Sequence, residues 1–242
     1  MCAMTKNIAH RGFSALYPEN TMLAFEKAVE AGCDGIELDV HLSRDGEIII
    51  IHDEMLERTT NGQGYVKNLF LTELSLLKIS NGQHIPTLAE YLDFAQKAKI
   101  ITNIELKNDI VLYPGIEKKV IAAIRSSKLE ERIILSSFNH FSILECKKLA
   151  PEISCAFLTY SWYVDVGAYA KGHNIPFVHP TYTSLSEDVV KEIHNKDIGI
   201  NTYTVNDSTE MARLIALGVE GIITDCPDKL KAELKRANCT KT

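Results

Sequence analysis

The chain has 242 residues, 45% of them hydrophobic and 24% charged, with a formal net charge of −6. This balance belongs to a globular protein with a substantial core and excludes a disordered chain, while the negative charge argues against a nucleic-acid surface, which needs a basic face. No run of 18 apolar residues occurs, so neither a membrane-spanning helix nor stable membrane insertion is expected, and no long apolar stretch demands a membrane-binding face.

The N-terminal "MCAMTKN" leads into a core strand within a few residues and leaves no room for a secretory leader. The first strand is "NIAH", followed by a helical pattern in "TMLAFEKAVEAG", for which Asn20 and Thr21 offer an N-cap. The second strand is "GIELDV"; beyond it "HLSRDGEIIIIHD" carries the Asp45-Gly46 turn signal between two β-rich arms. Residues from about 41 to 86 break the alternation and read as an insertion on the mouth of the fold. From there "TLAEYLDFAQKA", "GIEKKVIAAIRSSK", "HFSILECKKLAP", "SEDVVKEIHNK" and "STEMARLIALG" read as helices. The strands are "ITNIELK", "RIILSSF", "SCAFLTY", "PFVHP", "GINTYTV" and "GIITD", and the stretch after "SCAFLTY" is less clearly helical. The basic "DKLKAELKRANCTKT" reads as the solvated face of a last helix.

Eight strands alternating with helices predict an α/β fold, a (β/α)8 TIM barrel forming one domain over 1–242, with catalytic residues at the C-terminal ends of its strands. Six cysteines (Cys2, Cys33, Cys146, Cys155, Cys226, Cys239) lie scattered, without a CxxC pair or zinc spacing. They read as reduced thiols, which suits a cytoplasmic protein. The charge leaves monomer and homodimer both open.

Alternation puts Glu37 and Asp39 on one face of the second strand, and Asn103, Glu105 and Lys107 on one face of the third. Three buried carboxylates on neighbouring strands are costly without a cation, and hard oxygen ligands without cysteine select Mg²⁺ or Ca²⁺ over zinc. His10 and His52 each end an apolar strand and flank this cluster. With Arg11 and Lys107 to neutralise a phosphoryl group, one histidine can serve as base and the other as acid. Glu19 and Asn20 are placed to hydrogen-bond near the phosphate or to orient His10. His41 lies further along the strand and suits support rather than ligation, and Asp53 is placed to hold His52. Phe13, Tyr17, Trp162, Tyr182 and Tyr203 sit near strand ends, where rings either line a pocket or pack the barrel.

The ordered set "AHRG", "PENT", "GIELDVHLSRDG", "IIIIHD", "RTTNGQG", "IPTL", "IELK", "SSF", "YTVN" and "GIITDCP" resembles the glycerophosphodiester phosphodiesterase family over about residues 7–228. The resemblance implies a barrel with an insertion after its second strand that hydrolyses glycerophosphodiesters to sn-glycerol 3-phosphate and an alcohol. It implies metal ligation by Glu37, Asp39 and Glu105, acid/base work by His10 and His52, and phosphate binding by Arg11 and Lys107. Tyr203 stands where the family commonly has tryptophan, which keeps an aromatic wall and adds a hydroxyl; with Glu19 it joins the expected substrate-binding set. The implied mechanism resembles that of the phosphatidylinositol-specific phospholipases C. In it the glycerol 2-hydroxyl attacks phosphorus and water opens the cyclic phosphate; direct attack by water uses the same residues. Two other readings are a lysophospholipase D and a catalytically silent phosphodiester-binding module.

Overall fold

The computed structural model describes residues 5–239. Eight parallel strands make the barrel: β1 (Lys6–His10), β2 (Gly35–Leu42), β4 (Ile101–Leu106), β5 (Ile133–Ser137), β6 (Ser154–Thr159), β7 (Phe177–Pro180), β8 (Gly199–Thr202) and β9 (Gly221–Thr224). The sheet runs β1-β9-β8-β7-β6-β5-β4-β2 and closes through β1–β2 pairing. A short β3 (Ile48–Ile50) pairs antiparallel with β2. The helices are α1 (Met22–Ala31), α2 (Leu71–Leu74), α3 (Leu88–Ala98), α4 (Ile116–Ser127) and α5 (His140–Leu149). They continue with α6 (Val166–Gly172), α7 (Glu187–His194), α8 (Ser208–Leu217) and α9 (Pro227–Cys239).

Several helices begin where polar side chains satisfy their first N–H groups. Thr21 accepts from the Ala24 amide, Ser186 from Val189, and Thr87 forms a reciprocal capping box with Glu90. In α3, Leu88, Tyr91, Leu92 and Ala95 recur at helical spacing and are buried. They meet the outward residues of β2 and β4, Ile36, Leu38, Ile104 and Leu106, each fully buried. At roughly 1.5–3 kcal/mol for each large apolar side chain buried, this layer between strands and helices is the main stabilising term.

Strand alternation turns the other residues of β2 and β4 into the barrel, and the register decides which of them meet. Glu37 pairs with Asn103, Asp39 with Glu105, and His10 with Glu37. A one-residue slip would send the acidic side chains into the helix layer, where the neighbouring Ile and Leu already sit.

The start of the insertion differs from the sequence reading. β2 runs through Leu42, because its end pairs with β3, so His41 and Leu42 belong to the barrel strand and the inserted segment begins at Ser43. The insertion closes at Pro86, whose carbonyl accepts from the Ile50 amide at 2.8 Å. It buries a small core of its own around Ile49, Leu56, Val66 and Leu74. The stretch after β6 does form a helix, the seven-residue α6. Cys33, Cys146, Cys155 and Cys226 form no disulfide, while Cys2 and the expected tail beyond Cys239 lie outside the described residues. No helix among the described residues is long and apolar enough to cross a membrane.

Candidate active site

The turn His10-Arg11-Gly12 sets the site's floor. Gly12 has φ +83° and a Cβ there would lie 2.6 Å from the Ala24 carbonyl carbon, so this position requires glycine. Arg11 is itself left-handed, at φ +54°, a conformation that costs a non-glycine residue energy and needs support. The support is direct, because the Arg11 amide donates to the Glu37 carbonyl at 2.9 Å and to Glu37 Oε2 at 3.1 Å.

Glu37, Asp39 and Glu105 are buried and each presents a carboxylate oxygen within 4.8 Å of the others. Asn20 Nδ2 donates to Asp39 Oδ2 at 2.8 Å, and Lys107 Nζ donates to Glu105 Oε1 at 3.0 Å. Burial, with Asp39 and Glu105 alongside, pushes Glu37 well above the usual carboxylate range. Burial also lifts Glu105, to about 7, against the pull of Lys107. Burial opposes ionisation of Asp39 as well, but Arg11, Lys107 and His52 outweigh it and bring that carboxyl down to about 2. The chain's own cations therefore leave this oxygen cluster short of positive charge. A hard divalent ion fits that deficit and that donor set.

Arg11 Nε lies 3.3 Å from Asp39 Oδ2, yet it is buried and has no aligned hydrogen-bond acceptor in the protein. Its Nη1 donates to Glu19 Oε1 at 2.9 Å. Glu19 thus fixes Arg11 rather than His10.

Each histidine is held by a carboxylate at the same ring nitrogen. His10 Nδ1 lies 2.6 Å from Asp225 Oδ1, and His52 Nδ1 lies 2.5 Å from Asp53 Oδ1. A neutral ring that donates Nδ1–H to a carboxylate leaves Nε2 as its open acceptor. His10 Nε2 faces Glu37 at 3.9 Å, and His52 Nε2 lies 3.3 Å from Lys107 Nζ. Burial, helped by Arg11 and Lys107, lowers His52 despite Asp39 and Asp53. Asp225 is brought down to about 2, burial being outweighed by the hydrogen bonds from His10, Asn206 and Ser14. His41 is the brace beneath: its Nε2 donates to the His52 carbonyl at 3.0 Å and its Nδ1 accepts from the Tyr113 hydroxyl at 2.9 Å.

A cavity of about 410 Å³ opens over these groups. His10, Arg11, His52, Glu105 and Lys107 line one side; Phe138, Tyr160 and Tyr203 line the other. A family model described as the Glycerophosphoryl diester phosphodiesterase family matches residues 10–229. The chain belongs to this family.

It is a phosphodiesterase in which curated relatives cover almost the whole chain. It is 42% identical to a glycerophosphodiester phosphodiesterase of Caldanaerobacter subterraneus subsp. tengcongensis, covering 92% of this chain and 95% of the relative. It is likewise 42% identical to a glycerophosphodiester phosphodiesterase of Bacillus altitudinis, over 96% and 100%. Among solved structures, a phosphodiesterase of Oleispira antarctica in complex with the product sn-glycerol-3-phosphate is similar with a TM-score of 0.86. That protein is 28% identical, with 96% of this chain and 97% of that one covered.

Within this phosphodiesterase six of the expected site residues, His10, Arg11, His52, Glu105, Lys107 and Tyr203, line one cavity, and Glu37 and Asp39 sit against Glu105. Glu19 stands behind Arg11. Of the five rings considered from sequence, Tyr203 lines the cavity, its hydroxyl donating to the Thr159 carbonyl at 3.0 Å. Phe13 and Tyr17 pack edge to face on each other, Tyr182 packs on the core, and Trp162 is exposed. Phe138 and Tyr160 take the wall positions instead. Two further residues escaped the sequence reading. Asp225 directly follows the last strand, where an acid beside the first strand's histidine was a usable signal. Arg58 carried no such signal: it lies in the insertion and reaches both Glu19 and Asp53.

Proposed function

We propose that this protein hydrolyses glycerophosphodiesters, such as glycerophosphocholine or glycerophosphoethanolamine, to sn-glycerol 3-phosphate and an alcohol, in a metal-dependent reaction with His10 and His52 as acid and base. One observation carries the reading. Both imidazoles are held at Nδ1 by a carboxylate and turn Nε2 toward the same cavity, one beside Glu37 and the other beside Lys107. The product named in the Oleispira antarctica complex is consistent with it.

In this reading Arg11 and Lys107 bind the phosphoryl oxygens, the unsatisfied Arg11 Nε pointing to an anion as its acceptor. Glu37, Asp39 and Glu105 would hold the divalent ion, Mg²⁺ or Ca²⁺, which supplies neutralisation and polarisation of oxygens when bound. One imidazole takes the proton of the attacking hydroxyl at Nε2, and the other gives its proton to the departing alcohol oxygen as the P–O bond breaks. Asp225 and Asp53 keep the rings oriented and stabilise whichever carries the charge. The attacking oxygen belongs either to the glycerol 2-hydroxyl, with water opening the cyclic phosphate afterwards, or to water itself. A transient cyclic phosphate in the ³¹P spectrum separates these two routes. The reduced cysteines fit a cytoplasmic setting.

The silent-module reading is not favoured, since both histidines and all three carboxylates stand in place; a lysophospholipase D would use the same groups, and the choice of substrate separates it. The test is release of sn-glycerol 3-phosphate from glycerophosphocholine and glycerophosphoethanolamine, and of free choline from lysophosphatidylcholine, each with Mg²⁺, Ca²⁺ or EDTA. Release from the first two that EDTA abolishes is expected. Free choline from the lysolipid alone would overturn the substrate assignment. Metal binding has its own readout: the divalent ion is expected to raise the melting temperature, and Glu37→Gln to remove that rise.

A further inference from the structure

The cavity's aromatic side continues outward into an apolar rim that the proposed chemistry does not use. Three loops after the neighbouring strands β4, β5 and β6 present it. In the first, Val111 and Tyr113 are buried while Ile110 and Leu112, alternating with them, stand 71% and 73% exposed. Phe141 in the first turn of α5 is 85% exposed. Tyr160, Trp162 and Val164 after β6 are 76%, 66% and 91% exposed. Scattered apolar side chains are ordinary on a surface, but large ones gathered on adjacent loops at one end mark a contact surface. The rim is assembled from three short pieces, so no single long apolar run in the sequence carries it.

We propose that this rim docks the enzyme peripherally on a zwitterionic phospholipid surface, with the cavity mouth turned toward the lipid headgroups. Three features select this occupant. Tyr160 belongs both to the cavity wall and to the rim, so a second copy seated there would cover its partner's mouth. Tyr160 and Trp162 are amphipathic rings at loop tips, the residue types that settle at a lipid–water boundary. Charge then chooses the lipid. The exposed charges on these loops are Asp109 and Asp165, and Lys107 is turned inward on Glu105. No basic cluster is present on them to attract an anionic leaflet. Docking there would hold the enzyme where deacylation of phospholipids releases glycerophosphodiesters, without inserting the chain.

The chain has one tryptophan, Trp162, so intrinsic emission reports the rim directly. The metal-loaded protein is titrated with phosphatidylcholine vesicles, and co-sedimentation is measured in parallel. Expected are a blue shift of the emission and its quenching by brominated phosphatidylcholine. Val164→Glu combined with Phe141→Ser is expected to weaken binding by about tenfold or more while hydrolysis of soluble glycerophosphodiester stays at the parent rate. Unchanged emission with all protein in the supernatant overturns the proposal, as does binding confined to anionic phosphatidylglycerol vesicles. A dimer that the same double substitution dissociates would assign the rim to a second copy instead. Because binding is read without turnover, its failure is distinct from a failure of the proposed hydrolysis.

Discussion

His10 owes its usefulness to Asp225, 215 residues away in the chain and 2.6 Å away in space. Removing either imidazole, by His10→Ala or His52→Ala, is expected to lower turnover by about 10²–10⁴-fold with the melting temperature nearly unchanged. Near-normal turnover in either variant would sink the acid/base assignment. Asp225→Asn tests the orientation separately. An amide can present its NH₂ to Nδ1 and favour the opposite tautomer, so kcat is expected to fall by at least about tenfold with little change in KM. The histidines, the acidic cluster and the two cations were legible because each stands on or just past a strand in a sequence with clear alternation. Asn20 was only half legible. Its neighbour Thr21 does cap α1, but Asn20 turns to Asp39, and nothing local distinguishes the two uses.

At the level of elements, the insertion brings more than a lid. It delivers His52 and Asp53 from the end of β3 and ties them to the barrel through one guanidinium. Arg58 Nε donates to Asp53 Oδ2 at 2.6 Å, and its Nη1 and Nη2 donate to Glu19 at 2.9 and 2.7 Å. Glu19 in turn receives Arg11, so a continuous chain of ion pairs joins Arg11 to the second histidine. Hydrogen bonding to Arg58 holds Asp53 well below the usual carboxylate range. Arg58→Gln is expected to lower kcat by roughly tenfold and raise KM, since both Arg11 and His52 lose a restraint, with partial rescue in Arg58→Lys. An effect on melting temperature with kinetics intact would reduce Arg58 to a structural tie. The hairpin was readable from Asp45-Gly46, but the clamp was not, because an arginine in a polar loop gives no sign of the carboxylates it will meet.

For the molecule as a whole, closing the barrel buries polar groups that ordinary surfaces would solvate. His179 on β7 is fully buried, and Asn201 Nδ2 donates to its Nε2 at 2.9 Å. Burial drives His179 from the ordinary 6.5 down to about 3. Between those values the unfolded chain binds a proton that the folded protein refuses, so stability declines as pH falls through this window. The loss expected from this one group is about 2 kcal/mol between pH 7 and pH 5. Urea unfolding at both pH values should show it, and His179→Gln, which still accepts from Asn201, should flatten the difference. A slope unaltered by that substitution would place the acid sensitivity elsewhere.

The sequence by itself determined the eight strands, the alternating helices with the Thr21 cap of the first, the approximate place of the insertion and the identity of the side chains that meet at the site. These are local matters: apolar periodicity, capping side chains, turn residues and polar side chains at strand ends all act over a few residues. Tertiary structure alone decided the register that sets Asp39 beside Glu105, the closure that brings Asp225 to His10, the reach of Arg58 across two loops, and the gathering of the apolar rim. Each of these is a contact between segments far apart in the chain. Such a contact depends on which strands become neighbours and with what offset, and that is fixed when the whole core packs and the barrel closes.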